Sequence, residues 1–309
     1  MDHNELACFL VLAEELHFGR TADRLRLSRA RVSQLVQRLE RRVGAPLFTR
    51  TSRRVALTDL GSGLRAELEP HYRGIQDALA HAVAAARAAT AVLHVGFSTP
   101  LAGEIALKTA ERLRAARPGL TVEVCEVPFG DPYGLLRRGD FDVQLTDFPA
   151  RDTDLRQGPV LLTEGRVLAV AAGHPLAGRD AVTPEDLAGV ALLDVEGDVP
   201  EHWRRHRTPD RTPGGRPIGR GPSVTSFQEA LTLVAGGRGA LLTAAHTAVY
   251  HGRPGVSYVP VVGEEPLRYG VMWRAGDTNG TVRLFAALAH EAARHTPPPS
   301  PSAHRVHAA

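Results

Sequence analysis

The sequence predicts an α/β protein in three parts: a small helical head, one long helix, and a larger body of alternating strands and helices. In the head, apolar residues recur every three or four positions from Leu6 to Leu39, the spacing of helices with one buried face. After Thr90, short apolar runs alternate with helical patterns, as in sheets covered by helices. The 309 residues are enough for two or three such domains.

The head carries the excess positive charge of the chain. Residues 1–60 hold eleven Arg against seven Asp or Glu, whereas the remaining residues hold 26 basic against 27 acidic side chains. The net charge of +3 therefore originates in the head. A cationic module on a neutral body favours a polyanion-binding domain with a separate function behind it.

Three helices are predicted in the head. The first has an apolar face, and a short second helix follows Phe18. Ser28 then caps a third helix that buries Val32, Leu35, Val36 and Leu39. Its opposite face is rich in Arg and Gln, and this pattern is typical of a helix-turn-helix, whose second helix reads base edges in the major groove. Arg suits guanine and Gln suits adenine, each through two hydrogen bonds.

A basic hairpin follows the third helix. Leu47-Phe48 and residues 55–57 form two short predicted strands around a polar loop, and such a wing holds arginines against phosphates or in the minor groove. The alternative is that these arginines form the solvated face of an ordinary helical domain. The coincidence of basic face, turn spacing and basic hairpin favours duplex DNA. The candidate DNA-binding residues are Ser28, Arg29, Arg31, Ser33, Gln34, Gln37, Arg38, Arg50, Arg53 and Arg54.

This stretch resembles the LysR-type transcriptional regulators. The matching positions, spread over about fifty residues, are Phe18, Ala22, Leu25, Ser28, Ser33, Leu39-Glu40, Val43-Gly44, Leu47-Phe48, Arg50 and Leu57-Thr58. The chain departs from the family pattern at Thr21, at Gln34 and at Ser28-Arg29-Ala30-Arg31, which replaces the common Ser-Gln-Pro-Ala. A base code therefore does not carry over from the family, and our hypothesis is that Arg29 or Arg31 reads a guanine.

A long amphipathic helix is predicted over residues 59–89. From Leu60 to Val83 its apolar residues are spaced by three or four positions, with Thr58 as the N-cap. A stripe of this length favours a partner helix, and the resemblance implies pairing in a homodimer or homotetramer. The alternative is that the helix packs on the body of its own chain. Pro70 removes one backbone hydrogen bond and is expected to bend the helix.

The body is predicted to be a two-lobed α/β domain. Its strand pattern places lobe I at residues 91–162 and 266–295 and lobe II at 163–265, and the LysR-type effector domain, which resembles periplasmic binding proteins, has this plan. Ligands of such folds lie at the carboxyl ends of strands and near helix N-termini, which favour anions. Candidate effector-binding residues are Ser98, Thr99, Phe129, Thr146 and Thr225. Thr99 is equally well explained as a helix cap.

Two local patterns of the body concern its second lobe. Residues 207–222 are dense in Pro, Gly and Arg and are predicted to form a loop. Ser226 is then predicted to cap the helix that starts at Phe227, with Glu229 completing a capping box.

Enzymatic and membrane functions find little support in the sequence. Three short motifs imitate nucleotide-binding or catalytic signatures but lack their context, such as Gly61–Ala66, which follows the wing and is not part of a βαβ unit. His290 and His295 are five residues apart, where zinc on a helix needs four. The two cysteines, Cys8 and Cys125, favour a reducing compartment, and neither a signal peptide nor a membrane span is predicted. We expect a cytoplasmic protein without cofactor or metal.

The predicted organisation is a winged helix-turn-helix domain at residues 1–58 with its helix-turn-helix at 18–37, a linker and dimerisation helix at 59–89, an effector-binding domain at 90–296, and a disordered tail at 297–309. The predicted function is sequence-specific DNA binding that regulates transcription under the control of a small molecule, with an anion as one candidate. RNA polymerase is a further candidate partner. The alternative is a solute-binding or enzymatic α/β domain with an incidental basic head.

Overall fold

The computed structural model describes residues 3–25, 27–50, 55–89, 92–148 and 153–298. The chain divides into two units, residues 1–79 and 80–309. The first unit contains three helices, a two-stranded hairpin and most of a long helix. These elements are α1 (His3–Glu15), α2 (Phe18–Arg24), α3 (Arg29–Val43), β1 (Phe48–Arg50), β2 (Val55–Leu57) and α4 (Asp59–Ala89).

The first unit folds around the apolar faces of its three short helices. Phe9 and Leu12 of α1 and Val32 and Val36 of α3 are fully buried. Phe9 also contacts Phe48 of β1 edge-to-face, with ring centroids 5.6 Å apart. Because β1 and β2 pair antiparallel, this aromatic contact anchors the hairpin to the helices. The periodicity in the sequence therefore predicted the core of this unit.

The first turns of α4 pack on the same core. Thr58 caps the helix by accepting a hydrogen bond from the backbone N–H of Gly61 (3.0 Å). Half-buried apolar side chains then contact the core, namely those of Leu64, Leu68 and Tyr72. Leu60, Ile75 and Leu79 remain exposed. Part of the apolar stripe of α4 therefore packs on the core of the first unit. The other three residues leave apolar surface exposed on this helix.

Gly61 allows α4 to approach the hairpin closely. A Cβ atom at this position would overlap the backbone oxygen of Leu47, whereas a Cβ at Gly63 would meet nothing within 4 Å. We expect Gly61→Ala to lower the free energy of unfolding of this unit by about 1–3 kcal/mol through overpacking. Gly63→Ala is the matched control and should raise it by up to about 1 kcal/mol through helix propensity. Urea titration followed by circular dichroism measures both, and equal effects would contradict the close approach.

The second unit contains the remaining strands and helices. They are β3 (Val92–Phe97), α5 (Pro100–Ala116), β4 (Thr121–Glu126), α6 (Gly134–Arg137), β5 (Val143–Phe148), β6 (Leu155–Glu164), β7 (Arg166–Ala171), β8 (Ala191–Val195), α7 (Glu201–Arg207), β9 (Gly219–Val224), α8 (Phe227–Ala235), β10 (Leu241–Ala244), α9 (Thr247–Tyr250), β11 (Val256–Val261), β12 (Leu267–Arg274) and α10 (Gly280–Arg294). A 3₁₀ turn at Pro184–Gly189 precedes β8.

These elements form two lobes. The first lobe is a five-stranded sheet in the order β4-β3-β5-β12-β6, and α5 and α10 contribute to its core. The second lobe contains the sheet β10-β7-β11 and the parallel pair β8-β9. The chain passes from the first lobe to the second at Gly165, between β6 and β7, and returns between β11 and β12. The predicted two-lobed plan therefore agrees with the structure.

Alternating strands and helices predict parallel sheets, but the observed sheets also contain antiparallel pairs. In the first lobe, β3 is parallel to β4 and β5, but β12 is antiparallel to β5 and β6. In the second lobe, β7 is antiparallel to both of its neighbours. Each of these antiparallel pairs joins strands that are not consecutive in the chain, so the local alternation of strands and helices does not indicate their direction. The strands β6 and β9 and the helices α7 and α9 were missed by the sequence patterns. The predicted loop at 207–222 is wrong at both ends, because α7 extends through Arg207 and β9 begins at Gly219.

Candidate DNA-binding surface and effector cleft

The helix α3 presents a polar surface opposite its buried face. Ser28 is its N-cap, and the side-chain oxygen accepts a hydrogen bond from the backbone N–H of Arg31 (3.2 Å). Val32, Leu35, Val36 and Leu39 are buried, as the spacing predicted. Ser28, Arg29, Gln34, Gln37 and Arg38 are exposed, and Arg31 and Ser33 are half-buried. Arg50 is the last residue of β1, and Arg53 and Arg54 lie outside the described residues.

The arginines of the first unit fall into two groups. One group pairs with acidic residues: Arg24 contacts Glu14 at 2.6 Å, and Arg42 contacts the buried Glu5 at 3.2 Å. In the second group, no carboxylate of the described residues pairs with the guanidinium group. This second group consists of Arg29, Arg31, Arg38 and Arg41, all of them on α3. The cations left without an acidic partner therefore lie on the predicted DNA-reading helix.

The guanidinium group of Arg29 lies against the start of α2. A Cβ on Gly19 would lie 2.8 Å from Nη2 of Arg29 and 2.8 Å from Cε1 of His17. His17 caps α2, since its Nδ1 accepts hydrogen bonds from the backbone N–H groups of Gly19 and Arg20, both at 3.1 Å. A side chain at position 19 would displace the guanidinium. The glycine therefore decides where Arg29 presents its charge.

Glu40 positions the hairpin, a role that sequence reasoning did not assign. Its Oε1 accepts hydrogen bonds from the backbone N–H groups of Leu47 (3.0 Å) and Phe48 (3.2 Å). A carboxylate that accepts two backbone hydrogen bonds satisfies donors that would otherwise lack partners beside the core. In the sequence, the signal for this role was the position of the Glu40 carboxylate directly after the buried Leu39. Glu40 thus fixes the hairpin relative to α3.

In the second unit, Ser98 and Thr146 lie side by side at the ends of neighbouring strands. Phe97 pairs with Leu145 in the parallel register, and the backbone N–H of Ser98 donates to the oxygen of Leu145 (3.0 Å). The Ser98 hydroxyl is buried and has no hydrogen-bond partner among the described residues. Thr99 is the N-cap of α5 and accepts from the N–H of Ala102 (3.3 Å). Two of the predicted effector residues therefore meet, and Thr99 also serves as a cap.

Phe129 joins an aromatic cluster between the lobes. Its ring meets Trp203 edge-to-face at 6.3 Å and Phe227 at 5.8 Å, so the first lobe contacts both α7 and α8. Beside it the two backbones touch, because a Cβ on Gly197 would overlap the oxygen of Gly130. The structure therefore shows the cleft closed at this point.

Thr225 lies at the start of α8 and is exposed. Its backbone N–H and its hydroxyl both donate to Oε2 of Glu229, at 2.8 and 2.9 Å. Ser226, the N-cap, accepts from the N–H of Glu229 (3.2 Å). Ser226 thus caps the helix as predicted, while the Glu229 carboxylate reaches the residue before the cap. In this structure the Thr225 hydroxyl therefore already has a hydrogen-bond acceptor at the start of α8.

A buried ion pair links the lobes next to Thr146, and sequence reasoning missed it. Nη2 of Arg207, at the end of α7, lies 3.0 Å from Oδ1 of Asp147 in β5, whose side chain is 3% exposed. The Arg207 guanidinium also lies over the Trp203 ring, 4.4 Å from its centroid. Burial raises the pKa of Asp147, but the charge and hydrogen bond of Arg207 outweigh it and lower the pKa overall. Asp147 is therefore ionised at neutral pH.

A second buried arginine lies beside this pair. Nε of Arg166 is 3.3 Å from Oε2 of Glu264, and its Nη1 donates to the backbone oxygen of His206 (2.7 Å). Burial and then the charge of Arg166 lower the pKa of His206 from 6.5 to about 4. His206 is thus neutral at physiological pH, and its ring accepts a hydrogen bond from Nη2 of Arg166, 3.0 Å from Nδ1.

This depressed pKa predicts an acid-sensitive second unit. Between pH 6.5 and about 4 the unfolded chain binds a proton on His206 that the folded chain does not, so the free energy of unfolding should fall as the pH is lowered through this window. Tryptophan fluorescence during urea unfolding at pH 7 and pH 5 measures the change. His206→Gln should show a smaller decrease, and an unchanged decrease would contradict the prediction.

Comparison with known proteins identifies the class. The family described as "Bacterial regulatory helix-turn-helix protein, lysR family" matches residues 3–62, and "LysR substrate binding domain" matches residues 86–294. The HTH-type transcriptional regulator ShiR of Corynebacterium glutamicum (strain R) is 31% identical over 283 residues, covering 89% of this chain and 94% of its own. The chain belongs to the LysR family of DNA-binding transcriptional regulators. The family is one of regulators rather than enzymes.

Solved structures agree on the fold. An H2O2-bound OxyR mutant of Corynebacterium glutamicum has 24% identity and a TM-score of 0.52, covering 95% of this chain and 94% of its own. A mutant of full-length BenM has 22% identity and a TM-score of 0.53, covering 96% and 97%. These matches confirm the predicted fold class, and the helix-turn-helix match excludes an incidental basic head.

The described residues contain neither a candidate membrane span nor a candidate metal site. No helix there is long and apolar enough to cross a membrane. No cluster of three or more His, Cys, Asp or Glu side chains in those ranges could hold a metal ion.

Proposed function

We propose that this LysR-type regulator reads duplex DNA through the exposed face of α3, with the hairpin β1–β2 on the flanking backbone. The observation that carries the proposal is the division of arginines: Arg20 and Arg24 of α2 and Arg42 of α3 pair with carboxylates, whereas no carboxylate of the described residues pairs with Arg29, Arg31, Arg38 or Arg41. Unpaired guanidinium groups beside exposed amides suit a surface of phosphates and base edges. The proposed DNA-binding residues are the ten predicted from the sequence.

Within this surface we assign different roles to two arginines. Arg29 lies against the start of α2 at Gly19, and in helix-turn-helix proteins the first helix crosses the DNA backbone. Arg29 therefore contacts a phosphate. Arg31 lies in the first turn of α3, where recognition helices contact base edges, so we assign the guanine to Arg31. Gln34 and Gln37 are the side chains suited to adenine.

The protein works as a homo-oligomer in this proposal. Ile75 and Leu79 of α4 are 50% and 63% exposed, and two such apolar residues on one helix favour burial against a second copy. Residues 1–58 then form the DNA-binding domain and residues 59–89 the linker and dimerisation helix. RNA polymerase is the partner through which a bound regulator changes transcription, and such binding takes place in the cytoplasm, where the chromosome lies.

Residues 90–296 form the effector-binding domain, with lobe I at 91–162 and 266–295 and lobe II at 163–265. The proposed cleft holds the five residues predicted from the sequence, and supporting it are the buried Ser98 hydroxyl without a partner among the described residues and the aromatic contacts of Phe129. No catalytic activity is part of this proposal.

The proposed function does not include sensing through a disulfide. The chain has two cysteines, of which Cys8 lies in the first unit and Cys125 in the second. A disulfide therefore cannot close within either unit. Burial also raises the pKa of the Cys8 thiol to about 11, which makes it a poor nucleophile.

Selection of bound duplexes from a random library by the full-length protein tests the proposed function. We expect enrichment of one sequence that contains two half-sites, because two copies of α3 read it. Recovery of duplexes without a shared sequence would contradict sequence-specific reading.

A further inference from the structure

The buried polar groups between the two lobes carry information about the charge of the ligand. Two donor-only atoms there, Nε1 of Trp203 and Nε of Arg207, are buried without a hydrogen-bond partner among the described residues. They belong to neighbouring side chains, since the Arg207 guanidinium lies over the Trp203 ring. Trp203 is 6% exposed. An unsatisfied buried donor costs about 1–3 kcal/mol, so these atoms mark a place where an acceptor belongs.

The charges around these donors are already balanced. Arg207 pairs with Asp147, and Arg166 pairs with Glu264. His206 is neutral at physiological pH because its pKa is about 4. A charged ligand group would therefore enter a buried site without a free counter-ion, which is strongly unfavourable.

The surface beside the donors is aromatic. Trp203 contacts Phe129 of the first lobe, and Phe129 contacts Phe227 of α8. Aromatic rings pack favourably on one another in edge-to-face or offset geometry, so an aromatic or apolar ligand body suits this surface. The backbones of the two lobes meet beside these rings at Gly130 and Gly197, so the aromatic surface lies where the lobes touch.

We infer that the effector is an uncharged small molecule with an aromatic or similarly apolar body, and that its carbonyl-type acceptor takes the free N–H groups of Trp203 and Arg207. This inference rests on the effector cleft of the proposed function. Helix N-termini in general favour an anionic ligand. The charge balance of this particular site favours an uncharged one instead.

The test uses three probes of matched shape and different charge: benzamide, benzoate and benzylammonium. The melting temperature of the second unit is followed by tryptophan fluorescence, because both tryptophans, Trp203 and Trp273, belong to that unit. Benzamide should raise the melting temperature by mass action, and the two ions at equal concentration should not. A larger rise with benzoate or benzylammonium, or no rise with any probe, would overturn the inference.

Two variants separate hydrogen bonding from charge. Trp203→Phe keeps the ring but removes the donor, and should weaken benzamide binding by roughly five- to tenfold. Asp147→Asn leaves Arg207 uncompensated and should reverse the preference, so that benzoate binds better than benzamide. The matched control is Asp154→Asn, which removes the partner of Arg137 (2.8 Å) in another ion pair and should leave the preference unchanged.

The outcomes also distinguish this inference from the proposed function. If Asp147→Asn does not fold, the Trp203→Phe comparison still decides, and an unchanged affinity there would overturn the inference. Benzamide binding that leaves the emission of Trp203 unchanged in a Trp273→Phe background would refute the cleft itself. Binding of the same protein to the selected duplex is measured separately. A failure to bind the duplex would count against the proposed DNA recognition and not against the inferred ligand.

Discussion

Replacing Arg207 with Met should lower the free energy of unfolding of the second unit by about 3–5 kcal/mol, because the buried Asp147 carboxylate would lose its counter-ion. The two side chains lie 3.0 Å apart, on different lobes. The pKa of Asp147 is lowered in the folded chain, so this stabilisation is present above the unfolded pKa of about 4 and is lost as the pH falls through the folded value. Urea unfolding at pH 7, followed by tryptophan fluorescence, measures it.

Arg205→Met is the matched control for this experiment. Arg205 lies two residues away on the same helix and pairs with Glu201, but both side chains are more than 60% exposed, so the loss should stay below about 1 kcal/mol. The double variant Asp147→Asn with Arg207→Met should recover part of the loss, since no charge remains buried alone. Equal losses for Arg207→Met and Arg205→Met would show that the lobes are not joined by this pair.

Arg31→Ala and Arg29→Ala should weaken DNA binding in different ways. Arg31→Ala should cost about 1–3 kcal/mol on the selected duplex and relax the preference at one base pair, because a guanine contact is lost. Arg29→Ala should weaken binding to all sequences alike and reduce the salt slope by about 1, as expected for one phosphate contact. Fluorescence anisotropy on the selected duplex and on single-base variants, at several salt concentrations, separates the two effects.

Arg73→Ala controls for the loss of a positive charge. Arg73 lies on α4 and is 57% exposed beside Glu69, away from the residues of α3, and its replacement should change neither specificity nor the salt slope. If Arg29→Ala rather than Arg31→Ala relaxed the preference at a base pair, the assignment based on Gly19 would be wrong.

Local patterns predicted the first unit well because its structure depends on neighbours in the sequence. Apolar spacing located the buried face of α3, and the caps Ser28 and Thr58 follow from single residues next to helix starts. Gly61 shows the limit of such patterns. Its motif imitates a nucleotide-binding loop, whereas its contact with the Leu47 oxygen depends on how the hairpin returns to α4.

The site in the second unit was less predictable, because its residues are far apart in the sequence. Asp147 and Arg207 are sixty positions apart, and nothing local marks either of them as buried. The segment that begins at Arg207 is rich in Pro, Gly and Arg, so it was predicted as a loop, although α7 extends through Arg207. Ser98 and Thr146 were predicted because the carboxyl ends of parallel strands meet by topology, a rule that the strand pattern alone can supply.

The salt dependence of duplex binding by the full-length protein tests most directly whether the proposed DNA-binding surface contacts phosphates. Because phosphate contacts release counter-ions, the affinity for the selected duplex should fall by about 10³-fold between 50 and 200 mM salt. The predicted result is a steep linear decrease of log K with log salt concentration, shallower in Arg29→Ala. An affinity that does not change with salt would contradict the account.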